Sequence, residues 1–180
     1  MRRVEVAPSV VNGHIEGLKH NNILIPYLRH DIQTKVIPGG IISFNLVNLF
    51  PSTISKRVVV CFVTNTAYNG SYKTNPYNFQ HFKLTSISLK IDGASVPYAK
   101  ALSCKNWAAD SRDTLEYYYA FLESMNLTNV NEAPGIDYKM FRNGFFFIVF
   151  NLSPDLEITN PASPNTTGSV ELEMIWIGFV

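Results

Sequence analysis

The chain has 180 residues, of which 46% are hydrophobic and 16% carry a charge, and its formal net charge is +1. This length suits one β-sandwich or barrel with a sizeable buried core. The small net charge argues against a strongly electrostatic nucleic-acid binder. An average soluble domain has about 25% charged residues, so the low charge content predicts that a partner covers part of the apolar surface.

The predicted strands are short and are separated by turn signals, a pattern typical of an all-β sandwich or barrel. Twelve Phe and nine Tyr residues suit the pleated, half-buried surface of a sheet. In chain order, the strands are predicted at Ile32–Ile37, Ser43–Phe50, Lys56–Thr64, Ser86–Ile91, Gly144–Leu152 and Ser169–Val180. We expect Lys56–Thr64 to be buried on both faces, and Asp92-Gly93 to form a hairpin turn after the regular alternation of Ser86–Ile91.

One convincing helix is predicted at Asp113–Met125, where Asp113 and Glu116 are spaced like a capping box. We interpret this helix as an insertion between strands. Its apolar side is expected to comprise Leu115, Tyr118, Tyr119 and Leu122. Because no repeat or linker divides the sequence, we predict a single domain over residues 1–180, with an N-terminal arm at about residues 1–30.

The segment Ile175–Val180 ends the last predicted strand on apolar residues that no charged residue follows. An unguarded apolar strand is a template for pairing with another strand. Two interpretations follow. Either this strand is buried in the core, or another strand that belongs next to it lies outside this chain.

No residue pattern typical of catalysis or metal binding is present. The histidines form no pair at metal-ligand spacing; they are His14, His20, His30 and His81. The sequence also lacks a nucleophile elbow and a phosphate-cradling glycine loop. We therefore predict no catalytic, cofactor-binding or metal-binding residues and no small-molecule substrate, so the function must lie in surfaces.

The two cysteines, Cys61 and Cys104, are far apart in sequence. Two interpretations remain open, a disulfide between them or two free thiols. We favour two free, buried thiols in a reducing compartment. No apolar segment typical of a secretory signal follows the N-terminal charges, and no apolar run approaches the roughly 20 residues of a membrane helix. Contact with nucleic acid is expected at most indirectly, through Arg2 and Arg3.

The long irregular segment Asn65–Phe82 is the predicted subunit interface. Its aromatic rings supply the rigid, amphipathic contact area typical of interfaces; they belong to Tyr68, Tyr72, Tyr77, Phe79 and Phe82. In the alternative interpretation, these rings fold the loop onto its own domain as a small hydrophobic cluster. Both interpretations stay open at this point, because some rings could do each.

Four sequence blocks in this order resemble one family. They are VNGHIEGLKHNN (Val11–Asn22), AYNGSYKTNPYNFQHFKL (Ala67–Leu84), IDGASVP (Ile91–Pro97) and GFFFIVFNLSPDLE (Gly144–Glu157). With Ser153 in place of the usual threonine, the chain resembles the hexon-type major capsid proteins of adintoviruses and Polinton (Maverick) elements. The resemblance implies a double jelly-roll protein whose trimers tile an icosahedral shell, and the matching segments correspond to its C-terminal half. The N-terminal jelly roll is absent from these residues, and the family has another apolar strand after the one matched by Ser169–Val180.

The expected fold is thus an all-β jelly-roll β-sandwich with one inserted helix at about residues 113–125 and without the last strand of the family. The expected function is that of a structural capsid protein, not an enzyme, which forms homotrimers with copies of itself, works without a cofactor and is located in the virion. One rival is a carbohydrate-binding β-sandwich module, in which loop tyrosines stack on sugar rings. A hydrolase on the same scaffold is disfavoured, because convergent acid or metal motifs are lacking.

Overall fold

The structure is a computed structural model, and it describes residues 5–22, 27, 29–50, 53–108, 111–128, 134–153 and 166–176. The chain divides into two compact units, Met1–Ile32 and Gln33–Val180. In the first unit, helix α1 spans Pro8–His20 and has no buried residue. Pro8 at its start and Lys19 and His20 in its last turn are favourable at those helix positions. The segment that we predicted as an arm therefore contains a helix.

The second unit contains seven strands in its described part. They are β1 Ser43–Leu46, β2 Arg57–Val60, β3 Leu84–Ile91, β4 Ala94–Ser95, β5 Leu102–Ser103, β6 Ile148–Asn151 and β7 Val170–Trp176. The larger sheet has the order β1-β7-β3-β4, with β5 also paired to β3, and a second sheet consists of β2 and β6. All pairings between these strands are antiparallel. The prediction of a mostly β fold is confirmed.

Strand β7 lies inside the larger sheet, where it pairs with β1 on one side and with β3 on the other. Its residues alternate between buried and partly buried positions, and the buried ones are Val170, Leu172, Met174 and Trp176. The predicted alternation is confirmed because one face of the strand meets the core. Of the apolar end Ile175–Val180, the described residues include Ile175, which is partly buried, and Trp176, which is buried; residues 177–180 lie outside the described residues.

The hairpin at Asp92-Gly93 is confirmed as well. Strand β4 pairs back on β3, with Ile91 opposite Ala94. Asp92 and Gly93 have φ angles of 50° and 83°, the two consecutive positive values that a tight type I′ hairpin turn requires.

Two of the strand predictions were wrong. Residues 32–37 form no strand, and both Ile32 and Val36 are exposed. The alternating sequence of this segment therefore does not produce a buried face. The segment Lys56–Thr64 contains the short strand β2, but Val59 is 54% exposed. Burial on both faces was wrong, because the face with Val58 meets the core while the face with Val59 is exposed.

Besides α1, the helices in the described part of the chain are α2 (Asn65–Tyr68), α3 (Asp113–Ser124) and α4 (Tyr138–Arg142). The prediction of one inserted helix found α3 and missed α1, α2 and α4. The predicted capping box is also wrong: Arg112 is the N-cap and makes no side-chain cap, while the Asp113 carboxylate accepts the backbone N–H of Lys105 at 3.2 Å.

The buried face of α3 differs from the predicted one. Leu115 and Tyr119 are exposed, and the buried residues are Thr114, Tyr117, Ala120, Phe121 and Ser124. This face is selected by contacts with β5 and β6: the Tyr117 hydroxyl donates to the Leu102 carbonyl at 3.0 Å, and the Ser124 hydroxyl donates to the Val149 carbonyl at 2.6 Å. The buried face thus combines large rings with polar side chains whose hydrogen bonds are satisfied in the interior.

A single hydrophobic cluster joins both sheets to α3. Phe146, just before β6, lies at its aromatic end and is fully buried. Four rings surround it with centroid distances between 5.2 and 6.0 Å: His81, Trp107, Tyr117 and Phe141. These ring contacts connect the core to the surface loops described next.

Candidate interaction surface

The segment Asn65–Phe82 is built from short turns that its own polar side chains stabilise. The Thr64 hydroxyl caps α2 by accepting the Ala67 N–H at 3.4 Å. Further along, the Ser71 hydroxyl accepts the Lys73 N–H and the Asn75 side chain accepts the Tyr77 N–H, at 3.2 and 2.9 Å. Ser and Asn favour such local hydrogen bonds over regular secondary structure. Although its sequence has no sustained period, the segment therefore follows a defined backbone path.

The loop ends on a close contact with the residues that lead into β6. The Phe79 N–H donates to the Gly144 carbonyl at 2.9 Å, and the Phe146 N–H donates to the Phe79 carbonyl at 3.2 Å. Gly144 has a φ of 118°, and a Cβ at this position would lie 2.8 Å from the side-chain oxygen of Asn78. Both the backbone conformation and the space favour glycine here.

The five predicted interface rings divide into two groups. Tyr68 and Tyr77 are 56% and 73% exposed, and Tyr72 is fully exposed. Phe79 and Phe82 are half-buried, and the Phe79 ring packs on Phe147 with a centroid distance of 5.0 Å. The three tyrosines thus face solvent, and Phe79 packs the loop onto its own domain.

His81 and Trp107 form a stacked pair beside the loop, which the sequence analysis missed. Their rings are parallel within 4° and their centroids are 3.8 Å apart. The Trp107 indole N–H donates to the Leu84 carbonyl at 3.0 Å, and the Arg142 guanidinium donates to the Trp107 carbonyl at 2.7 Å. No local sequence signal joins these residues, because they come from three distant segments.

The charge state of His81 follows from this environment. Its Nδ1 accepts the Lys83 N–H at 3.0 Å. Burial, together with the positive charges of Arg142 and Lys83, lowers the pKa of His81 to about 4. The imidazole is therefore neutral at pH 7, with its proton on Nε2.

Lys83 separates two shallow cavities of about 340 and 510 Å³. The smaller is lined by Lys83, Thr85, Lys105, Asn106, Trp107 and Ala108. The larger is lined by Asn78, Gln80, His81, Phe82, Lys83, Arg142, Asn143 and Gly144. We call the two together the Lys83 groove. Phe82 and Lys83 have φ angles of 44° and 54°, and such left-handed conformations are unfavourable for residues other than glycine.

The sequence is similar to that of an uncharacterized protein of Caenorhabditis elegans. The two are 28% identical over 145 residues, which make up 79% of this chain and 34% of the nematode protein. This chain spans about a third of the length of that relative. No family model matches the sequence, and no solved structure matches it.

Both cysteines are free; Cys61 is exposed and Cys104 is buried. The favoured prediction of two free thiols is confirmed, whereas burial of both was wrong. The Cys104 thiol donates to the Asn106 carbonyl at 3.3 Å, and burial is the main cause that raises the pKa of this thiol to about 11. Cys104 is therefore a packing residue of the core.

Within the described ranges, no three His, Cys, Asp or Glu side chains are placed to hold a metal ion together. None of the helices in that part of the chain has the length and apolar character needed to cross a membrane. Arg2 and Arg3, which we predicted as the one indirect contact with nucleic acid, lie outside the described residues.

Proposed function

We propose that this chain is a structural capsid protein, corresponding to the C-terminal jelly-roll half of a hexon-type major capsid subunit. The observation that carries the proposal is the outward display of Tyr68, Tyr72 and Tyr77 on a loop that is attached to a β scaffold. Tyrosine offers a large rigid contact area with a polar end, and it is enriched at the energetic centres of interfaces. The four sequence blocks that resemble the capsid family support the same function.

The proposed jelly roll requires two antiparallel sheets that face each other. The five-stranded sheet and the β2–β6 pair share one hydrophobic cluster, which supports a layered arrangement. In the proposed subunit, the larger sheet is one layer and β2–β6 belongs to the other. The greater length of the nematode relative fits a protein in which this domain has a companion.

The proposed mechanism is assembly through buried surface. With 16% charged residues, the chain buries little charge when its surfaces meet, so the desolvation penalty is small. Leu115 and Tyr119 on the outer side of α3 add exposed apolar area to that of the loop tyrosines. The partners are copies of this chain and related subunits in a trimer, the location is the virion, and no chemical reaction or cofactor is involved.

Light scattering coupled to size-exclusion chromatography tests this proposal. We expect the wild-type protein at micromolar concentration to form trimers or larger assemblies. The triple substitution Tyr68→Ser, Tyr72→Ser and Tyr77→Ser removes the exposed rings without touching the core, and it should shift the protein toward monomer. Tyr27→Ser is the matched control, because this tyrosine is 81% exposed and lies outside the loop.

A stable wild-type monomer under these conditions would contradict the proposal. A glycan array separates it from the rival sugar-binding function, in which the same tyrosines stack on pyranose rings. Selective sugar binding that is lost in the triple variant would favour the rival, whereas a capsid domain needs no such selectivity.

A further inference from the structure

The Lys83 groove concentrates positive charge in a chain whose formal net charge is +1. Lys83, Lys105 and Arg142 line it, and none of the described lining residues is acidic. Neither lysine belongs to an ion pair with another residue of the described ranges; the ion pairs there are Lys19–Glu16 and Lys90–Glu173. Lysines that lack an ion-pair partner and line a concave surface attract anions more strongly than isolated surface lysines do.

Part of the groove lining is fixed by interactions within the fold. The Arg142 guanidinium donates to the Trp107 carbonyl, and Trp107 is stacked on His81. The backbone at Phe82 and Lys83 is left-handed, which is an unfavourable conformation that the surrounding contacts maintain. Strained, well-packed backbone is more frequent at binding sites than elsewhere.

Amide side chains complete the lining, and they are Asn78, Gln80, Asn106 and Asn143. Amides donate hydrogen bonds to anionic oxygens and also bind hydroxyl groups. The cavity volumes lie in the range of small-ligand sites. A set of cations with amide donors and no lining carboxylate fits phosphate oxygens.

We propose that the Lys83 groove binds phosphate groups. Two sources carry this chemistry: free phosphate compounds and the backbone of a single-stranded nucleic acid. The inference is independent of the proposed capsid function, since a monomer would present the same groove.

The binding test uses the full chain and two probes, pyrophosphate and a fluorescein-labelled single-stranded oligothymidylate. Calorimetry measures the first and fluorescence anisotropy measures the second. We expect binding of at least one probe, with an affinity that falls as the salt concentration rises. The double substitution Lys83→Gln and Lys105→Gln should weaken this binding by about tenfold or more, because two charge-assisted contacts are lost.

Two further variants make the test specific. Lys100→Gln removes an exposed lysine that does not line the groove, and it should leave the affinity unchanged. Asp113→Asn removes the carboxylate that accepts the Lys105 N–H at the edge of the groove, and it should strengthen binding severalfold. Arg142 is left intact because it supports Trp107.

If pyrophosphate binds and the oligonucleotide has no higher affinity, the groove is assigned to free phosphate compounds. Binding that strengthens with oligonucleotide length would assign it to a nucleic-acid strand. Absence of binding to both probes would overturn the proposal, and so would an equal loss in the Lys100→Gln variant. Binding of heparin without binding of either phosphate probe would also overturn it.

Discussion

His81 is a partly buried histidine between two cations, and its surroundings make the stability of the protein depend on pH. The ordinary pKa of histidine is about 6.5, and in the folded chain it is lowered to about 4. Between these values, the unfolded chain binds a proton that the folded chain does not. The free energy of unfolding is therefore not reduced by His81 above about pH 6.5, and it falls as the pH is lowered toward 4.

Replacing His81 by Phe should flatten this pH dependence, because Phe retains a ring against Trp107 and does not titrate. We expect the contribution of His81 to be about 1–2 kcal/mol across the window, since partial solvation reduces the effect of the shift. Urea unfolding at several pH values between 7 and 4 measures it. His30→Phe, at an exposed position, is the control, and an unchanged slope in His81→Phe would contradict the assignment.

Single-residue features were predictable from the sequence where they depend on local chemistry. The turn at Asp92-Gly93 followed from residue type, whereas the sequence left open which rings of the Asn65–Phe82 loop face solvent. The His81–Trp107 stack did not, because the fold brings together residues from distant segments. Sequence spacing also could not tell that Phe79 turns inward, since this depends on Phe147 and Gly144 across the loop.

At the level of secondary-structure elements, the segment leading into β6 anchors the aromatic end of the core. Phe146 is fully buried, whereas the adjacent Phe145 is 39% exposed. We expect Phe146→Ala to lower the free energy of unfolding by about 3–5 kcal/mol, because it leaves a cavity among four rings. Phe145→Ala removes the same atoms from a partly solvated site and should cost much less. Urea unfolding midpoints measure both, and equal effects would contradict the described packing.

Elements with one clearly buried face were the ones that the sequence predicted well. Strand β7 keeps the predicted alternation of buried and partly buried residues. Its neighbour β3 buries the predicted Ile87 and Leu89, but Ser88 between them is buried as well. The alternation at residues 32–37 resembles theirs, but pairing requires a neighbouring strand, which the sequence pattern does not reveal. Helix α1 was missed although Val11, Ile15 and Leu18 have helical spacing, because none of its residues is buried.

At the scale of the whole molecule, the hydrophobic cluster formed by the described residues belongs to the second unit. Its buried members and the residues packed on them lie between Ile37 and Trp176, whereas α1 has no buried residue. We therefore expect a shortened protein, residues 33–180, to unfold at the same urea concentration as the full chain. A clear decrease in the midpoint would show that residues 1–32 stabilise the second unit.

The central position of β7 also determines when the protein can fold during synthesis. Strand β7 is the last of the seven described strands to leave the ribosome, yet β1 and β3 are joined through it. Until Trp176 has emerged, both neighbours expose unpaired backbone edges and apolar faces. Long-range pairing of this kind slows folding and leaves nascent chains prone to aggregation. Production of the protein should therefore benefit from chaperones that bind exposed strands until β7 has emerged.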